Sequence, residues 1–189
     1  MSKRYEMRFA GSGGQGVILA SVILAECAVI AGLNTVQSQA YGPEARGGVS
    51  KAETVLSRDR IWYSKVTHPN FLLALTQASL DKYTREMAEG AVVMADESLS
   101  VPADLDPARV ISIPILRTAK EKVGKAFTAN IVAVGAINAA LRLFSDEELM
   151  EGVKRHIPAG TEEINQKALA EGAALISAAQ AEAFAQKLG

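Results

Sequence analysis

The chain has 189 residues, 49% of them apolar and 22% charged, with 20 basic side chains against 21 acidic ones and a net charge of −1. That length and composition predict one domain with a substantial core, and the near-neutral charge, without any block of like sign, argues against nucleic acid and anionic membrane as partners. A single cysteine, Cys27, excludes a disulfide framework and an iron–sulfur cluster held by this chain alone, and with only His68 and His156 a structural zinc site is disfavoured as well.

Lys3 and Arg4 precede an apolar stretch beginning at Val17, but a glycine loop intervenes and Glu26 interrupts the run. Neither a signal peptide nor a membrane span fits, and the reading is a buried helix in a cytoplasmic protein. Residues 6–10 read as a first strand that ends at the loop Gly11-Ser12-Gly13-Gly14-Gln15-Gly16. Residues 15–32 are apolar nearly all round, as in a helix packed on a sheet and under other helices, with Gly32 as its stop. Residues 34–38 form a second strand, completing a βαβ unit whose crossover is expected to be right-handed and parallel.

A second glycine loop follows, Tyr41-Gly42-Pro43-Glu44-Ala45-Arg46-Gly47-Gly48. Residues 49–56 alternate, with Ala52, Thr54 and Leu56 on one side and Lys51, Glu53 and Val55 on the other. The polar turn 57–60 then leads to residues 61–63 as the return strand of a hairpin. Residues 69–78 read as a helix with Pro69 at its first position. Residues 91–95 and 109–113 are apolar strands. From there the chain is helical: residues 126–144, interrupted by Asn130 and Asn138; a short helix behind the capping-box spacing of Ser145 and Glu148; and a final helix from near Thr161. The whole chain, 1–189, is therefore expected to be one α/β domain with a mostly parallel sheet, a β-hairpin insertion and a helical C-terminal part.

Gly11, Gly13 and Gly16 have the G-x-G-x-x-G spacing between a strand and a helix. Dinucleotide binding would also need an acid at the end of the second strand, which instead reads Gln37-Ser38-Gln39-Ala40. Two readings remain for the loop: a tight strand-to-helix turn, or an anion site made by amides at a helix N-terminus. In the second loop Arg46 can grip a carboxylate or phosphate with two parallel hydrogen bonds, or pair with Glu44 to fix the turn. Tyr41 can anchor a partner or cover the loop. Asn130 on its apolar helix needs a hydrogen bond, for which the backbone of a glycine loop is the expected partner. Asp96 and Glu97 end a strand where α/β sheets place ligands, or face solvent. His68 has no nucleophile near it in sequence, and Cys27 reads as core. The result is a cradle with an arginine and no complete catalytic set, the pattern of a subunit that shapes a site shared with other chains.

The two loops together resemble the gamma subunit of the 2-oxoacid:ferredoxin oxidoreductases, and the resemblance continues through residues 130–135 and through Asn165 to Ala168 with Gly172. It implies a Rossmann-like domain beside a thiamine diphosphate site formed by alpha and beta chains, on the coenzyme A side of the reaction. It also implies magnesium and iron–sulfur clusters in the complex, a ferredoxin-like delta subunit, and external ferredoxin as electron acceptor. Under the same resemblance Gly11, Gly13, Gly14, Gln15, Gly16, Tyr41, Gly42, Pro43, Glu44, Arg46, Gly47, Gly48 and Asn130 are ligand or subunit-interface residues, and no catalytic residue or metal ligand belongs to this chain alone. Residues 49–53 look more like the 2-oxoglutarate branch than the pyruvate branch. A stand-alone nucleotide-binding or regulatory module is the alternative. Isolated from partners, the chain is expected to self-associate, as a homodimer, through residues such as Trp62 and Tyr63.

Overall fold

The computed structural model describes residues 4–40 and 49–187. A six-stranded sheet runs in the order β2-β3-β1-β4-β5-β6, built from β1 Arg4–Ser12, β2 Asn34–Ala40, β3 Val49–Ser57, β4 Phe71–Ala74, β5 Val92–Asp96 and β6 Val110–Ile113. β1, β4, β5 and β6 pair in parallel, while β3 pairs antiparallel with both β1 and β2. Five strands thus point one way and β3 alone points back, so the sheet is mostly parallel, as expected. The helices are α1 Val17–Ile30, α2 Gln77–Tyr83, α3 Ile115–Thr118, α4 Ala129–Leu141, α5 Asp146–Lys154, α6 Glu162–Ala173 and α7 Ala178–Lys187. None of them is long and apolar enough to cross a membrane.

Four expectations are corrected. The helix from near Thr161 is not the last: α6 ends at Ala173 and α7 follows it. Residues 61–63 form no strand; the antiparallel hairpin comes one strand earlier, between β2 and β3. β1 and β2 do run in the same direction, but β3 stands between them, so they are not neighbours. Residues 69–78 are not one helix: Phe71–Ala74 is a fully buried strand, and α2 starts only at Gln77, with the Thr76 side chain accepting from the Ser79 amide. A short apolar run carries no period that separates a buried strand from a buried helix. Here β1 and β5 supply a ladder on both sides, and the strand wins.

The sheet separates two cores. Met7, Phe9, Phe71, Leu73, Val92 and Met94 face the larger one, under α1 and α4. Ala10, Leu72, Ala74, Val93 and Ala95 face a smaller one closed by Leu80 and Tyr83. Both helices over the larger core are apolar around most of their circumference, as the sequence indicated, because each is covered again by later helices. The cover over α4 is α6, and the two meet through glycines: a Cβ at Gly135 or at Gly172 would come closer than 3.0 Å to the backbone carbonyl of Leu169 or Val132. The Ser145–Glu148 capping box forms as expected, each side chain accepting from the other residue's amide.

α1 is also tied to α5. Gly152 packs on Cys27, and beside them Arg155 binds Glu26 at 2.6 Å and Glu151 at 3.1 Å. The Arg155 hydrogen bond holds the Glu26 carboxyl below its ordinary range. A carboxyl lowered on folding stabilises the fold above its unfolded pKa, and that contribution is lost as pH falls through the folded value. Glu26→Gln should therefore lower the urea midpoint at pH 7, and the gap from wild type should close as both carboxyl states become protonated in acid. A gap independent of pH would show that the ion pair contributes nothing.

Candidate functional site

The C-terminal ends of β1, β4 and β5 lie side by side, the edge at which open α/β sheets bind ligands. β1 extends through Gly11 to Ser12, two residues beyond its expected end, and the chain then turns through Gly13 and Gly14 into α1. Gln15 holds this turn. Its Oε1 accepts from the Ser12 amide at 2.7 Å, and its Nε2 donates to the Leu75 carbonyl at 3.1 Å. The Leu75 amide in turn donates to the Ala10 carbonyl, so one side chain joins the loop to the end of the next strand.

The glycines of the loop have separable reasons. A Cβ at Gly11 would collide with Gln15 and crowd Val17. Gly16 adopts φ +70° as the residue that begins α1, and its face is closed by Asn130. Gly14 needs its φ of +92°, with open space around it. Gly13 needs neither: a Cβ there meets nothing within 4 Å, and its φ is not in the left-handed region. The first turn of α1 has no side-chain cap and no acid, leaving the positive end of the helix dipole to the loop. The close-packed turn is therefore real at Gly11 and Gly16, while Gly13 and Gly14 present bare backbone outward.

Asn130, at the second position of α4, is buried against Gly16. Its Oδ1 accepts from the Ile131 amide at 3.0 Å instead of from the glycine loop. The expected neighbours meet, by packing instead of through that hydrogen bond. Tyr41, Gly42, Pro43, Glu44, Arg46, Gly47 and Gly48 lie outside the described residues. The residues that flank them are placed: Val49 pairs with Ser12, and Ala40 with Lys51, at the same end of the sheet as the first loop.

Other candidates resolve into structure. Asp96 is neither a ligand group nor a surface charge: it is 2% exposed, accepts from the amide and hydroxyl of Ser98, and receives the Leu116 amide at 2.8 Å. It fastens β5 to the start of α3. Glu97 pairs with Arg117 at 2.7 Å on the surface. His68 is exposed, and its Nδ1 meets the Glu86 carbonyl. Cys27 is core, as expected, and burial pushes its thiol up to about 12.

The cluster around Arg8 was not anticipated. Arg8 is 2% exposed in the middle of β1, with Glu53 opposite it on β3 at 2.8 Å. Glu86 binds its other nitrogen, Lys51 reaches Glu53 at 3.0 Å, and the Tyr83 ring lies 5.0 Å from the guanidinium. The sequence did hold a signal: a charge inside an apolar strand, and a glutamate in register on an alternating one.

The position of β3 also bears on dinucleotide binding. In the Rossmann arrangement the ribose-binding acid ends a strand adjacent to β1. Here that neighbour is antiparallel β3, and β2 lies a further strand away, ending without a carboxylate.

Residues 6–175 match the model of the family described as pyruvate ferredoxin/flavodoxin oxidoreductase. The chain is 40% identical over 180 residues to the 2-oxoglutarate synthase subunit KorC of Methanothermobacter thermautotrophicus, covering 92% of this chain and 95% of that one. It is 42% identical over 173 residues to the subunit of the same name from Methanocaldococcus jannaschii, covering 89% and 92%. Among solved structures, the gamma subunit of a keto/oxoacid ferredoxin oxidoreductase from Geobacter sulfurreducens superposes with a TM-score of 0.79 at 42% identity, over 91% of this chain and 95% of that chain.

Proposed function

The chain belongs to the pyruvate ferredoxin/flavodoxin oxidoreductase family, and from that membership we propose that it is the gamma subunit of a 2-oxoglutarate:ferredoxin oxidoreductase. In this reading the complex decarboxylates 2-oxoglutarate oxidatively, forms the acyl-CoA and reduces ferredoxin. The observation that carries it is likeness to 2-oxoglutarate synthase subunits over nearly the full length of both chains. The same likeness favours a subunit over a stand-alone nucleotide-binding or regulatory module. Its partners are the alpha, beta and ferredoxin-like delta subunits, with external ferredoxin, in the cytoplasm.

The donor set decides what this chain contributes. One buried thiol with a raised pKa does not suit an iron–sulfur cluster, which supports clusters in the sister subunits, where the family resemblance also puts thiamine diphosphate and magnesium. The first glycine loop and the uncapped start of α1 do suit a phosphate, which is how a coenzyme A binding role fits the chain. Coenzyme A supplies the thiol that accepts the acyl group. The backbone at Gly13 and Gly14 orients it, and Arg46 from the second loop adds a two-pronged grip on a carboxylate or phosphate.

The complex purified with its sister chains should show its highest kcat/KM with 2-oxoglutarate when pyruvate and 2-oxoisovalerate are offered at equal concentration. A higher value for either competitor would remove the branch assignment. Gly13→Ala in the same complex should leave the thermal midpoint of the chain unchanged and lower turnover by about tenfold or more through a displaced ligand. Unaltered turnover would take Gly13 out of the site.

A further inference from the structure

At the edge of the sheet opposite the glycine loops, β1 and β2 begin and β3 ends, and the segment after β3 carries two exposed aromatic side chains, one of them the most exposed aromatic among the described residues. Trp62 is 81% exposed and Tyr63 60%. The Arg60 guanidinium stacks 4.3 Å from the Trp62 ring, and Arg4 donates to the Tyr63 carbonyl at 3.1 Å. The same end of the sheet carries a cleft of about 360 Å³, lined by Leu33, Leu56 and Leu143 with Arg58, Arg142 and Glu148.

The charges here lean positive: Asp59 stands exposed between Arg58 and Arg60, but from residue 58 to 65 three cations face that one carboxylate. Arg4, Arg8, Arg109, Arg117 and Arg155 each reach a carboxylate. Among the described residues, Arg58, Arg60 and Arg142 form no ion pair, and neither does Lys65 in the same segment. The nearby Glu148 carboxylate is committed to the Ser145 amide. Exposed aromatics beside guanidinium groups that lack an ion pair are the composition of an interface centre, since Trp, Tyr and Arg dominate binding energy where proteins meet.

We propose that this pole is a second docking surface, which receives an acidic protein surface with Trp62 as its anchor. The homodimer expected through Trp62 and Tyr63 is not the occupant proposed, because like poles would set the excess of cations against itself. Resting on the functional reading above, the occupant is a sister subunit of the complex, docked at the end of the sheet away from the ligand loops. Carboxylates on that subunit pair with Arg58, Arg60, Lys65 and Arg142, and the cleft takes an apolar side chain from it.

The test is assembly of the full chain with its co-expressed sister subunits, followed by native mass spectrometry and by titration at two salt concentrations. Trp62→Ala should weaken association by about 30-fold, the effect of losing an aromatic anchor. Arg58→Glu with Arg60→Glu should weaken it further at low salt and flatten its salt dependence, while Lys167→Glu on the exposed side of α6 should change nothing. Circular dichroism and thermal midpoints should match wild type, because the altered side chains are exposed. Wild-type assembly with undiminished binding by both pole variants overturns the proposal. So does loss of self-association by the isolated Trp62→Ala chain with complex assembly intact. Failure of the wild-type chain to assemble at all overturns the subunit reading instead, and with it the partner named here.

Discussion

Gly172→Ala is expected to cost about 3 kcal/mol or more, at the upper end of what overpacking a core imposes. The added methyl would meet the Val132 carbonyl, carbon and Cα of α4, all backbone atoms that no rotamer change can move. Gly135→Ala presses from the other side, against the carbonyl, carbon and Cα of Leu169. Relief requires α4 and α6 to separate, and α4 is the helix that packs over the sheet and carries Asn130 to Gly16. Urea unfolding should therefore show a strongly lowered midpoint for either variant, with the pair costing less than the sum, because separating the helices once relieves both contacts. A midpoint within about 0.5 kcal/mol of wild type for either single variant would mean that the helices are not in backbone contact.

Arg8→Met should cost about 3–5 kcal/mol, the usual result of removing one member of a buried ion pair. Methionine keeps most of the volume, so the loss is electrostatic: the Glu53 side chain, 8% exposed, is left with only Lys51. Adding Glu53→Leu should recover a large part of the stability. The remaining charges, Lys51 and Glu86, are 26% and 43% exposed and can reach water. The double variant would then separate the cost of an orphaned charge from the worth of the pair. If it is no more stable than Arg8→Met alone, the cluster owes its stabilising role to the geometry of the guanidinium against Tyr83 and the Val66 carbonyl instead.

How much of this was legible in the sequence depended on the range over which each feature is determined. Caps and turns are local: Ser145 with Glu148, and Gly16 before an apolar run, act through their own backbone and could be read from the residues alone. Phe71–Ala74 could not, because whether it is strand or helix depends on β1 and β5, distant in the chain. β3 shows the same limit: its alternation was correct to the residue, but alternation does not say whether a strand lies at an edge or between two others. Gly135 and Gly172 entered only as parts of a family resemblance, and the structure gives them a physical reason in the contact of two helix backbones. The first glycine loop and Asn130 are neighbours, as their residue types indicate, but they meet by packing at Gly16 and not by a hydrogen bond. Asp96 was misread because a carboxylate at a strand end looks the same whether it awaits a ligand or holds backbone amides. The second loop was read from residue types alone, and its part in the site stands as a proposal.

The insertion of β3 between β1 and β2 also governs how the chain emerges during synthesis. β1 and α1 are made first, yet no strand that borders β1 exists until residues 49–57 and 71–74 have followed. Until then an apolar strand and an almost wholly apolar helix have only each other for cover. The first pairing available at short range is β2 with β3, and that hairpin must then dock as a unit onto β1 before the parallel half can close. Residues 4–30 therefore wait longest for their strand neighbours, and slowing translation just before residue 49 should lengthen that exposure.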